Sequence, residues 1–324
     1  MLMRQAVRPV RILARVAIAL TLAGAAATAT AQEQLFQSRR ITSPQSTFKG
    51  IEGPAVDAAG NLYVVNFKHK GTIGRLRPGQ ADFEPFTTLD NGSIGNGIRF
   101  DRAGRMYVAD FKRRQVLVIE PGQTKPVPYF ASKDFRQPND LAIAENGTIY
   151  ASDPPFGAIN KGKTGQIWRI SRGADGKVSG EVIAIHAAPN GIDLSPDGKT
   201  LYVSEDRQVL AYQIRPGKLA PPTPIHTFPP GSELDGLRTD RDGRIFVTRA
   251  LKSGTPGKGA VAILRPDGTA PPEVQLNGRR PRNLTFGGPD GKTVFVAQDD
   301  GDFIEAFRTD RPGREPCLQV PAAC

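Results

Sequence analysis

The chain has 324 residues, with 43 Lys+Arg against 32 Asp+Glu, 35 Gly, 28 Pro, two Cys and one Trp. The length allows a substantial core, and this abundance of Gly and Pro fits many short strands joined by turns and disfavours a helical bundle. Two cysteines exclude a disulfide scaffold and any zinc site of the four-cysteine or finger type.

Residues 1–31 carry Arg4, Arg8, Arg11 and Arg15 and no acid, then the apolar run Val16 to Ala27, then Ala29-Thr30-Ala31. This is the order of a secretory signal peptide cleaved after Ala31, and twelve apolar residues are too few to span a ~30 Å hydrocarbon core. Removing the leader takes the formal charge from +11 to +7. The remaining basic residues are scattered and accompanied by no nucleic-acid motif, which argues against a nucleic-acid partner. The expected location is periplasmic or secreted, without membrane attachment after cleavage and with no obligate protein partner indicated.

From residue 52 onward one pattern recurs six times: a polar residue, an alternating apolar stretch, a Gly-containing turn and a β-branched or aromatic run. The copies begin at Glu52, Asn96, Asn139, Asn190, Asp235 and Asn283, at intervals of 44, 43, 51, 45 and 48 residues. Each copy reads as a β-hairpin, with alternation of period two on its strands and Gly where the turn needs a positive φ. Segments such as QVLVIE, QIWRI, VLAYQI and AVAILR between the copies supply further strands. Four strands per roughly 45 residues, six times over, predicts an all-β, six-bladed propeller. Only one clear strand, Phe303 to Arg308, follows the last copy, so the segment around Leu35–Ile41 is expected to pair in the sixth blade and close the ring. The domains expected are a leader at 1–31, a propeller at 32–310 and a tail at 311–324. In that tail Cys317 and Cys324 could form a disulfide in an oxidising compartment.

The first strand of a blade lines the central channel, so the six leading residues converge at one mouth. Two carboxylates and four carboxamides supply oxygen ligands, which suit a hard cation. A second polar ring ends the returning strands: Asn66, Asp110, Asp153, Glu205, Arg249 and Gln298. No Gly-x-Ser-x-Gly elbow and no P-loop occurs, and His69, His186 and His226 fit no His-x-x-x-His pattern.

The segments Glu52-Gly53-Pro54, Pro138-Asn139-Asp140, Pro189-Asn190-Gly191 with Leu194-Ser195-Pro196-Asp197-Gly198, and Asp235-Gly236 resemble the SMP-30/gluconolactonase/LRE family. Ser152 to Gly157 followed by Ile167 to Ile170, and Asn283 to Lys292, extend the likeness over roughly residues 50 to 310. The resemblance implies one divalent cation at the mouth, Ca²⁺ first, with Mg²⁺, Mn²⁺ and Zn²⁺ as the other ions. It implies Glu52, Asn139, Asn190 and Asp235 as its ligands, and hydrolysis of a sugar lactone or related ester. Two positions depart from the family pattern: Val56 replaces an aromatic, and Gln137 stands where binders of sugar-acid lactones carry Arg. On this reading Asp235 activates water, beside a cation that polarises the carbonyl, and Asn96, Asp153, Arg249 and Asn283 contact substrate. The alternatives are a phosphotriesterase using the same ligands and a non-catalytic propeller that binds a ligand or carbohydrate in the envelope.

Overall fold

A computed structural model of the chain describes residues 34–43, 48–69, 71–90 and 92–320. The leader expected at 1–31 and Cys324 lie outside the described residues. Among the described residues no helix is long and apolar enough to cross a membrane, and no cysteine is free.

Six antiparallel sheets follow one another along the chain. Blade one runs through Ile51–Val56, Leu62–Asn66, Thr72–Leu76 and Glu84–Thr88, and blade two through Gly95–Phe100, Met106–Asp110, Gln115–Ile119 and Val127–Ala131. Blade three uses Leu141–Ile143, Ile149–Asp153, Gly165–Arg172 and Val178–His186. Blade four uses Ile192–Leu194, Thr200–Glu205, Gln208–Arg215 and Thr223–Thr227, with the short Lys218–Leu219 also pairing to its third strand. Blade five is Ser232–Thr239, Ile245–Leu251, Ala260–Leu264 and Val274–Gln275, and blade six holds Pro281–Gly287, Thr293–Gln298 and Phe303–Arg308. The fourth strand of blade six comes from the other end of the chain. Arg39 pairs with Ala306 and Arg40 with Glu305, and the Ile41 N–H donates to the Ile304 carbonyl at 3.0 Å. The ring is closed as the strand count required.

Alternation along each strand divides the apolar residues between two neighbours. In blade one, Tyr63 and Val65 pack with Ile98, Phe100 and Val108 of blade two. Leu62 and Val64, on the opposite face, pack with Ala297 and Ile304 of blade six. Each fully buried side chain of this size contributes about 1.5–3 kcal/mol, so every blade is stabilised on both faces only when the ring is complete. The hairpin turns are equally regular. Asp101 Oδ1 accepts the N–H groups of Ala103 and Arg105, both at 2.9 Å, and Gly104 supplies the left-handed φ of 79° that ends the turn.

The described part of the C-terminal tail folds back onto the blades. Its helix, Arg314–Gln319, lies across the channel end remote from the leading residues. Arg314 Nη1 donates to the Ile143 carbonyl and Gln319 Nε2 to that of Val56, both at 3.1 Å. Glu315 Oε1 lies 3.0 Å from Arg99 Nε, and Arg314 Nη2 donates to Asp193 Oδ1 at 2.5 Å. Arg99 and Arg238 also grip Asp140, through Nη2 at 2.5 Å and Nη1 at 3.0 Å. Three cations and three anions thus fill the axis, all buried.

Removing one member leaves buried charge uncompensated, which costs about 3–5 kcal/mol, whereas an exposed pair contributes at most about 1 kcal/mol. Arg99→Gln, which leaves Asp140 and Glu315 without their shared cation, is therefore expected to lower unfolding free energy by about 3 kcal/mol in urea titrations. Glu181→Gln, which breaks an ion pair with Arg169 on the outer edge of blade three, should change it by less than about 1 kcal/mol.

Candidate functional site

In four blades the leading residue sits where the inner strand breaks register, and Asn139 and Asn190 stand two residues before their own inner strands. In blade two the pairing skips from Gly95–Asp110 to Ile98–Val108, in blade five from Leu234–Arg249 to Leu237–Val247, and in blade six from Pro281–Gln298 to Leu284–Val296. Blade one shifts between Glu52 and Ala55. Such bulges bend a strand and re-aim its side chains. Hydroxyl groups on the neighbouring strand hold them in place. Ser204 Oγ accepts the Gly191 N–H at 2.9 Å and donates to the Asp235 carbonyl at 2.5 Å, and Thr248 Oγ1 donates to the Arg282 carbonyl at 2.8 Å.

A glycine follows four of the six leading residues, Glu52, Asn96, Asn190 and Asp235, and lets adjacent blades meet. The Gly97 N–H donates to the Asn139 carbonyl at 2.7 Å, and the Gly191 N–H to that of Asp235 at 3.2 Å. A Cβ on Gly191 would overlap the Asp235 carbonyl oxygen, and one on Gly236 would overlap the Asn283 side chain. No residue but glycine fits this spacing, so successive leading residues are brought side by side around the axis.

Their side chains fall into two levels. Glu52 Oε2, Asn96 Oδ1, Asn139 Oδ1 and Asn190 Oδ1 are each sealed from solvent without a hydrogen-bond partner. Four such acceptors from four blades form an oxygen-rich cup, and each orphaned acceptor costs about 1–3 kcal/mol if nothing meets it. Asp235 completes the cup from blade five, its Oδ2 3.4 Å from Arg282 Nη1. Asn283 belongs to the level below. It accepts from Arg238 Nη2 at 3.1 Å and donates to Asp140 Oδ2 at 3.3 Å.

The electrostatics follow from burial. Burial, and then the charge of Asp235, pushes the Glu52 carboxyl well above its usual range. Burial pushes Asp235 up to about 7 against the opposing pull of Arg282, and Asp140 up to about 6 against that of Arg99. Among the described residues no cluster of three or more His, Cys, Asp or Glu could hold a metal ion. The cup is made of two carboxylates and three amides instead, a donor set that matches hard divalent cations.

The second polar ring clasps loops. Asp153 accepts from the Arg136 N–H at 2.8 Å, the Gln137 N–H at 2.5 Å and Trp168 Nε1 at 3.1 Å, and burial raises its carboxyl to about 6. Asp110 Oδ1 accepts from the Ile94 N–H at 3.1 Å, and Glu205 Oε1 from that of Ala188 at 2.9 Å. These N–H groups belong to the segments leading into the inner strands, so Asp110, Asp153 and Glu205 fix how Asn96, Asn139 and Asn190 arrive. Arg249 forks onto Glu273. Sequence reasoning missed Arg282, Asp140, Arg99 and Arg238. The signal for the last two was present as arginine at the third residue after Asn96 and Asp235, within stretches whose alternation marks a buried strand.

Fold and cup together define a six-bladed propeller with an oxygen-lined axial site. The chain belongs to the SMP-30/Gluconolactonase/LRE-like family, whose model matches residues 50–299. It is 27% identical over 224 residues to a gluconolactonase of Zymomonas mobilis subsp. mobilis, a match covering 62% of this chain and 60% of the relative's length. Among solved structures it is similar to a gluconolactonase from Xanthomonas campestris, with a TM-score of 0.67 at 24% identity over 84% of this chain and 88% of the other. It is also similar to regucalcin from Agrobacterium tumefaciens, a calcium-binding protein, with a TM-score of 0.68 at 18% identity over 87% and 97%.

A carboxyl raised by burial holds its proton more tightly folded than unfolded. Its contribution therefore makes the fold less stable as pH rises from about 4 through about 7. In chelator-treated protein, Asp235→Asn is expected to raise stability on the order of 2 kcal/mol at pH 8 and to change it little at pH 4. Thermal melts of both proteins across that range measure the difference.

Proposed function

We propose that this protein is a divalent-cation-dependent lactone hydrolase, acting on a sugar lactone or a related cyclic ester. The observation that carries the reading is the set of four buried, partnerless oxygens, Glu52 Oε2, Asn96 Oδ1, Asn139 Oδ1 and Asn190 Oδ1, at the same repeat position that Asp235 holds in blade five. Family membership supports the reaction class, and the gluconolactonase from Zymomonas mobilis supports the substrate class. The calcium-binding regucalcin supports Ca²⁺ as the ion.

Glu52, Asn139, Asn190 and Asp235 would hold the cation, with Asn96 a fifth oxygen at the same level. Bound there, it would supply positive charge at the lactone carbonyl oxygen, where negative charge develops during attack. The amide ligands are neutral, so the cup contributes about two negative charges, which balance a divalent cation without reversing its charge. Asp235 is the carboxylate of the cup assigned to accept a proton from water. It would take one proton from water as the water oxygen bonds to the carbonyl carbon. Cleavage of the ring C–O bond and return of that proton to the leaving oxygen yield the hydroxy acid. The leader sequence at 1–31 supports action in the periplasm or outside the cell.

The test is hydrolysis of a panel of lactones, aryl esters and phosphotriesters, with and without chelator. Turnover of lactones that chelator abolishes and added Ca²⁺ restores is expected, with kcat lowered at least about 100-fold by Asp235→Asn. Preference for phosphotriesters would reassign the substrate, and absence of turnover across the panel would favour a binding propeller.

A further inference from the structure

We propose that Arg282 is the resident counter-ion of Asp235 and sets how tightly the mouth holds a divalent cation, an inference that rests on the cation reading above. Arg282 lies in the register break of blade six, between Pro281 and Leu284, beside Asn283. Its side chain is 32% exposed, unlike the buried arginines of the axis. Its fork is anchored outward. Nε and Nη2 reach Asp299 Oδ2 at 3.2 and 2.8 Å, and only Nη1 turns to Asp235 Oδ2, at 3.4 Å. Blade six stands between blade five, which carries Asp235, and blade one, which carries Glu52, so this one guanidinium acts on both carboxylates of the cup.

The length of the inner contact decides what Arg282 does there. At 3.4 Å it exceeds the ~2.9 Å of a well-formed N–H···O bond, so it orients Asp235 weakly. Its charge still acts at that distance, because Coulomb attraction falls only as the inverse of distance and does not depend on hydrogen-bond alignment. Without a cation, Arg282 offsets part of the cost of two neighbouring buried carboxylates. With a cation in the cup, the same positive charge opposes it. A residue that supported a metal ligand by hydrogen bonding would have the opposite effect, since its loss weakens metal binding. Anchoring by Asp299 keeps the guanidinium from collapsing fully onto Asp235.

Calorimetric titration of CaCl₂ into full-length, chelator-stripped protein at fixed ionic strength tests this. Arg282→Gln is expected to bind Ca²⁺ at least about fivefold more tightly than the parent, and Arg282→Lys to stay within about threefold. Asp299→Asn, which releases the outer anchor, is expected to weaken binding severalfold, and by less than half that factor, on a logarithmic scale, in the Arg282→Gln background. A folded Arg282→Gln protein with unchanged or weaker affinity overturns the proposal. If that variant does not fold, unchanged affinity in Asp299→Asn overturns it. A parent protein that binds no Ca²⁺ overturns the cation reading, and this proposal with it.

Discussion

The structure depends on how closely the inner strands approach one another. A backbone N–H from one blade meets the carbonyl of the next blade's leading residue, as Gly97 does with Asn139 and Gly191 with Asp235. That contact has no room for a Cβ. Glycine removes the obstacle, the bulge frees the leading side chain from the ladder, and Ser204 or Thr248 ties the loosened backbone to the neighbouring strand. Polar side chains that would be costly anywhere else in the interior are thereby forced together at one end of the axis. The apolar clusters between blades supply the stability that lets the ring tolerate this.

Below the cup, the axis is filled in the opposite manner. The charges of Arg99, Arg238, Arg314, Asp140, Asp193 and Glu315 compensate one another in place. The cup above leaves two carboxylates facing amide oxygens, with Arg282 the cation nearest to them. The carboxylates of the upper level lack cations within that level while those of the lower level are paired, which is why the proposed cation belongs at the mouth. Asp140 joins the levels, since it follows Asn139 in sequence and bonds to Arg99, Arg238 and Asn283.

Much of this was legible from the repeat. Spacing and alternation determine the six blades, and the missing outer strand of the last blade requires the N-terminal segment, which pairs there through Arg39 and Arg40. The convergence of the leading residues follows from the same pattern. Their separation into levels does not, because Asn283 and Asn190 hold the same place in the repeat and part company through the contacts of Asn283 with Arg238 and Asp140. The strand-end ring was legible as polar, but not its work of holding loop N–H groups, which depends on the path of the chain between blades. The C-terminal helix was the least legible, since its six residues carry no periodic signal and owe their place to Arg314 and Glu315 meeting charges some hundreds of residues away in sequence.

The most direct measurement is a crystal structure of the protein grown with Ca²⁺, with Mn²⁺ substituted to give an anomalous signal. The account predicts a single axial peak about 2.3–2.6 Å from the side-chain oxygens of Glu52, Asn139, Asn190 and Asp235 in the Ca²⁺ form. A mouth empty of metal, with those oxygens turned to protein partners, would contradict it.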